Sequence, residues 1–269
     1  MRTWLFVVAV LAGCGKKNGG KDLQAAVEAH RAEAQKMYAA FEAVAAKPAG
    51  PADGKLTAPP DKLTGENTIV LPAGADAVHK LVTDPNEFSS GMNTHLAEYA
   101  WIPSPSRVTR TLAALLGTAA IKDSKEREMA EDFLGKADKA TIDGLKADQE
   151  KRFAQLAKIK YVLLAKTTSH KTALGGGGEV VADVWLYDLA GKSYGGVHIA
   201  AHNSSSVEVN VTKDRKTGQT LSSNDSSAWE SDLDDNAAHA LQDQIAAQLP
   251  GAEIPCAKYQ TWCKQPLDD

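Results

Sequence analysis

Tyr161-Val162-Leu163-Leu164-Ala165 opens the part of the chain whose reading decides the fold. An apolar run without alternation reads as a strand buried on both faces. Val180 to Leu189 follows, with Val184 and Leu186 on one side and Trp185 and Tyr187 on the other, so this strand too is apolar on both faces. Tyr194 to Ala201 makes a third strand, reached through Ala190-Gly191-Lys192-Ser193. Val207, Val209 and Val211 alternate with Glu208, Asn210 and Thr212, the pattern of a half-buried strand. Beyond them Trp229, Leu233, Ala237, Leu241, Ile245 and Leu249 form the stripe of an amphipathic helix. Strand, hairpin, further strand and helix predict an α+β fold. A mainly antiparallel sheet over residues about 161–222 is packed by a C-terminal amphipathic helix, after a helical N-terminal half.

Toward the N-terminus the pattern becomes helical. Ser124 to Lys160 is highly charged with a helical rhythm, weakened at Gly135 and Gly144, and Arg107 to Ala120 is an apolar helix pattern. Leu96 to Ile102 reads as a strand stopped by Pro103 and Pro105, and Asn67 to Leu71 as a short strand. Ala75 to Val82 reads as a short helix ending near Asp84-Pro85. Lys47 to Leu63 holds Pro48, Pro51, Pro59 and Pro60, which remove backbone donors and block helix, so residues 47–63 are expected to be an extended, exposed linker. Ahead of it Asp22 suits a helix N-cap, and Leu23, Val27, His30, Ala34, Met37, Phe41 and Val44 make a heptad-like stripe over residues 22–46. Such a helix either docks on its own domain or serves as a coiled-coil or partner-binding element.

The N-terminus tells where the chain resides. Arg2 precedes Trp4-Leu5-Phe6-Val7-Val8-Ala9-Val10, and Leu11-Ala12-Gly13-Cys14 follows directly. The apolar run falls well short of the roughly 20 residues that span a bilayer. The arrangement resembles the signal peptide and lipobox of bacterial lipoproteins. That resemblance implies cleavage after residue 13, lipid attachment at Cys14 and a Gly- and Lys-rich tether over residues 14–21, with the envelope domain over residues 64–269. Gly15 after the lipidated position is similar to the outer-membrane sorting pattern of enteric bacteria, which implies anchoring in the outer membrane facing the periplasm. Export also implies an oxidising compartment, where a Cys256–Cys263 disulfide is the default and two free thiols the alternative. On a continuous helix those Cα atoms would stand about 10.5 Å apart. A bridge tolerates less than about 7 Å, so a disulfide requires a folded-back loop. Tyr259 and Trp262 would sit in that loop, as core aromatics or as an exposed binding patch.

Composition narrows the function classes. The chain has 269 residues and a formal charge of −4, which becomes slightly more negative once Arg2 is removed. A mildly acidic chain has no electrostatic reason to bind nucleic acid. Around the hairpin, Tyr187-Asp188-Leu189-Ala190-Gly191-Lys192 resembles, over about a third of the chain, the domain shared by the curli-secretion lipoprotein and the lipoprotein activators of penicillin-binding proteins. That implies a fold rather than a chemistry.

Gly191-Lys192-Ser193-Tyr194-Gly195 fits G-x-S-x-G and is similar to the nucleophile elbow of α/β-hydrolases, with Asp225, Asp232 and His239 following in that family's order. The competing reading is a β-hairpin turn with Gly191 at positive φ. No oxyanion motif precedes it, and His239 lies inside a helical stripe. Gly191-Lys192-Ser193 lacks the upstream Gly of a phosphate loop, Leu186 standing there instead, and Gly175 to Gly178 leads into a strand rather than a helix. His198 and His202 lie about 13 Å apart on a strand, too far to share an ion. Asp232-Leu233-Asp234-Asp235-Asn236 lacks the Gly and distal Glu of a calcium loop, and its acidity is expected to complement the first turn of a helix. No metal or cofactor is expected. The sequence therefore points to a lipid-anchored, non-catalytic envelope protein that binds or positions another envelope component. A serine hydrolase using Ser193 is the alternative, and a small-ligand or metal-binding lipoprotein the third reading.

Overall fold

The computed structural model describes residues 19–47, 50, 52–83, 139–171, 177–207, 211–213, 220–223 and 225–254. In chain order the elements are α1 (Gly19–Ala45), β1 (Lys55–Leu56), β2 (Thr68–Pro72), α2 (Ala75–Thr83) and α3 (Lys139–Leu156). Then come β3 (Tyr161–Lys171), β4 (Glu179–Asp188), β5 (Ser193–His202), β6 (Val211–Lys213), β7 (Thr220–Ser223) and α4 (Asp225–Gln248). A five-stranded sheet runs β1-β5-β4-β3-β2, and β6 pairs with β7 in a separate ribbon. β2 lies parallel to β3, while the other neighbours are antiparallel. The fold is α+β, and the main sheet draws in Lys55–Leu56 and Thr68–Pro72 from outside the 161–222 stretch.

The sheet is apolar on both faces because both are covered. On one face Val70, Leu163, Ala165, Val184, Leu186, Val197 and Ile199 pack against Leu233, Ala237, Leu241, Ile245 and Leu249 of the α4 segment. On the other face Ile69, Leu71, Val162, Leu164, Trp185 and Tyr187 meet Ala34, Phe41, Val44 and Ala45 of α1, Val78 of α2, and Phe153 and Leu156 of α3. This explains the unbroken apolar run of β3: Tyr161 to Ala165 are all buried between the two helical layers, and the strand turns polar from Lys166 onward. Gly144 sits inside α3 without interrupting it.

The α1 stripe docks on its own domain. Phe41 and Val44 are 1% exposed, and His30 stacks on Phe153 with ring centroids 4.0 Å apart. The Pro-rich segment is extended, yet its described part is bound along the molecule rather than spanning a gap. Leu56 N donates to Gln248 Oε1 at 2.8 Å and Thr57 N to the Tyr194 carbonyl at 2.8 Å. Asp61 N donates to the Tyr161 hydroxyl, and the Asp61 carboxylate takes the Lys160 ammonium at 2.9 Å, which holds the Asp61 carboxyl below its usual range. Leu63 is 1% exposed. Most of the described residues of the Pro-rich segment are exposed, as expected, but Leu63 at its end is not: that apolar side chain is buried in the core under α4.

Candidate functional site

Among the described residues, a dense polar cluster lies where the end of β5 meets α4. Asp232 Oδ2 accepts from Ser204 N at 2.7 Å, Asn203 Nδ2 at 3.1 Å and Asn236 Nδ2 at 3.4 Å, and Asp232 Oδ1 accepts from Ser204 Oγ at 2.7 Å. Asn203 Nδ2 also donates to the Trp229 carbonyl at 2.6 Å, and Asn203 Oδ1 accepts from Gly178 N at 2.9 Å. A Cβ at Gly178 would stand 2.3 Å from that same Oδ1, so only glycine lets the strand entry approach this closely. Asn236 Nδ2 reaches the His202 carbonyl at 2.9 Å. The network ties the start of β4, the end of β5 and α4 together. With both carboxylate oxygens engaged by donors, Asp232 is a fastening rather than a base.

A β-bulge adds the second part of the cluster. The β3–β4 register shifts between Thr167 and Ser169, so the alternation of side chains inverts there. His170 consequently turns to the α4 face, its side chain 3% exposed and its Nε2 3.2 Å from Asp234 Oδ1. Burial pushes the Asp234 carboxyl above its ordinary range, the His170 hydrogen bond pulls it back in part, and Glu230 and Asp235 raise it further. The acidic run 232–236 is therefore not a first-turn dipole feature. α4 begins at Asp225, which puts Asp232 and Asp234 roughly two turns inside it. Their acidity is used by Ser204, Asn203 and His170 instead. Asn203-Ser204 after β5 and Asp232-Asn236 at i,i+4 on α4 were the signal for this contact; the sequence displays both but not their meeting.

The hydrolase set does not assemble. Ser193 is exposed at the first position of β5, paired with Tyr187 across a strand-turn-strand hairpin. Gly191 in the turn has φ +81°, Gly191 N donates to the Asp188 carbonyl, Lys192 N donates to Asp188 Oδ1, and the Ser193 Oγ accepts from Gly195 N at 3.2 Å. Asp232 is bound at the opposite end of β5, about 30 Å away along the strand. α4 runs antiparallel to β5, with Gln248 beside Leu56 and Leu56 opposite Gly195. His239 therefore lies about 13 Å up the helix from that end, and Asp225 lies beyond Asp232.

Among the described residues, His198, His30 and His79 bridge elements. His198 Nδ1 lies 3.0 Å from Asp183 Oδ1 across β4 and β5, His202 stands opposite Glu179, and both imidazoles are exposed on the sheet face away from α4. His30 Nε2 lies 2.8 Å from Glu150 Oε2, joining α1 to α3. Tyr38 of α1 donates to Glu42, and its oxygen lies 2.8 Å from His79 Nδ1 on α2. Burial pushes the Tyr38 phenol well above its usual range. Among the described residues no group of three or more His, Cys, Asp or Glu side chains is placed to hold a metal ion. Nor, among them, is any helix long and apolar enough to cross a membrane. Cys14, Cys256, Tyr259, Trp262 and Cys263 lie outside the described residues, as do the expected strand 96–102 and helix 107–120. No family model, curated protein or solved structure matches the chain.

Proposed function

We propose that this chain is a lipid-anchored, non-catalytic component of a bacterial cell envelope, held by acyl chains on Cys14 in the outer membrane facing the periplasm. There it binds or positions an envelope protein partner. The observation that carries this reading is Leu11-Ala12-Gly13-Cys14 directly behind an apolar run too short to span a bilayer. The separation of Ser193 from Asp232 and His239 favours it over the hydrolase reading, because general-base activation of a serine requires a His within hydrogen-bond reach.

In a bacterial host, labelled fatty acid should enter the wild-type chain, and Cys14→Ala should abolish the label and leave the precursor uncleaved. A wild-type chain that takes up no label overturns the anchor. Peptide mapping of the same unreduced protein should find Cys256 linked to Cys263, as export to an oxidising compartment implies.

A further inference from the structure

Two segments of this chain could have served as a spacer between the lipid and the folded body: residues 15–18 and the Pro-rich stretch after α1. The fold removes the second. Leu56 is paired in β1, Thr57 and Asp61 are hydrogen-bonded to Tyr194 and Tyr161, and Leu63 is in the core, so that stretch lies along the body instead of leading to it. The body begins before it. α1 runs without a break from Gly19 to Ala45, and Ala34, Phe41, Val44 and Ala45 are at most 2% exposed. Its middle is also fixed to α3 by the His30–Phe153 stack and the His30–Glu150 contact.

We infer that α1 is a rigid strut, continuous with the folded body, that keeps that body within a short reach of the membrane. The inference rests on the Cys14 anchor proposed above. From Cys14 to Gly19 the chain spans at most about 18 Å when fully extended. From Gly19 to Ala34, which is fully buried, the helix adds about 22 Å. The core therefore begins within about 40 Å of the acylated residue, whatever angle the helix takes.

The test uses the full acylated chain in vesicles of phosphatidylethanolamine and phosphatidylglycerol that carry a headgroup-labelled acceptor lipid. A fluorescent non-natural residue replaces Ala154, which is exposed on α3, the helix held to α1 by the His30–Phe153 stack and the His30–Glu150 contact. A flexible Gly/Ser insert of about 20 residues spans roughly 25 Å. Placed between Asn18 and Gly19, it should lower energy transfer to the membrane by about twofold or more. The same insert between Ala49 and Gly50 should leave transfer unchanged, because the body hangs from α1. Equal losses from the two inserts overturn the strut. Without any insert, spin labels at Ala32 and Ala154 should give one narrow distance distribution, and a broad one overturns the strut as well. A chain that takes up no fatty acid and does not float with vesicles removes the anchor reading and the strut together. One that floats while both inserts act alike removes the strut alone.

Discussion

Asp234 is a carboxyl whose folded environment works against its charge. Burial, with Glu230 and Asp235 nearby, raises its pKa above the ordinary 3.8 against the pull of His170, so the folded chain holds this proton more tightly than the unfolded one. Stability from this group is then fully present below the ordinary value and falls as pH rises through the raised one. Thermal melts of the wild type should show that downward contribution on leaving the acid range, and Asp234→Asn should flatten it. An unchanged pH profile in the variant would mean His170 already compensates the buried charge. Ser193 is the opposite case: exposed, its hydroxyl only accepting from the Gly195 amide. Ser193→Ala should shift stability by no more than about 0.5 kcal/mol. A fluorophosphonate probe should leave the wild-type protein unlabelled, and labelling that vanishes in Ser193→Ala would restore the hydrolase reading.

At the scale of elements, the strands were legible because both-face burial writes an unbroken apolar run, as in Tyr161 to Ala165. α4 was legible from its apolar stripe at four-residue spacing. Its start was not, because Asp225 to Ala228 carries no apolar residue before Trp229 other than that alanine. Placement was harder to read than type. Whether the α1 stripe faced a partner or its own sheet depends on Phe41 meeting residues more than a hundred positions away, and no local pattern encodes that. Phe41→Ala separates the two cases. An integral α1 predicts a loss of about 3–5 kcal/mol in denaturant unfolding, the range for a fully buried aromatic. A helix waiting for a partner would lose almost nothing. The bulge at Thr168 was invisible for a related reason: an extra residue in one strand is a property of the pair, and it alone decides that His170 rather than Ser169 meets Asp234.

Across the whole molecule, the candidate site was the least legible part. Its residues are ordinary loop and helix polars in the sequence. They become a network only because β5 ends beside the third turn of α4. The sheet sandwiched between helices also has a kinetic side. One entire covering layer comes from Asp225 to Leu249, near the end of the chain, and the parallel β2–β3 pair closes a connection from Ala73 to Lys160. Non-local pairings of this kind are slow to form, because loop closure precedes the contacts that reward it. A nascent chain that has not yet delivered α4 carries a sheet with Val184, Leu186, Val197 and Ile199 bare on one side. Until Leu233, Ala237, Leu241 and Ile245 arrive, that face of the sheet has no helix to cover it. A chain truncated before Asp225 aggregates readily.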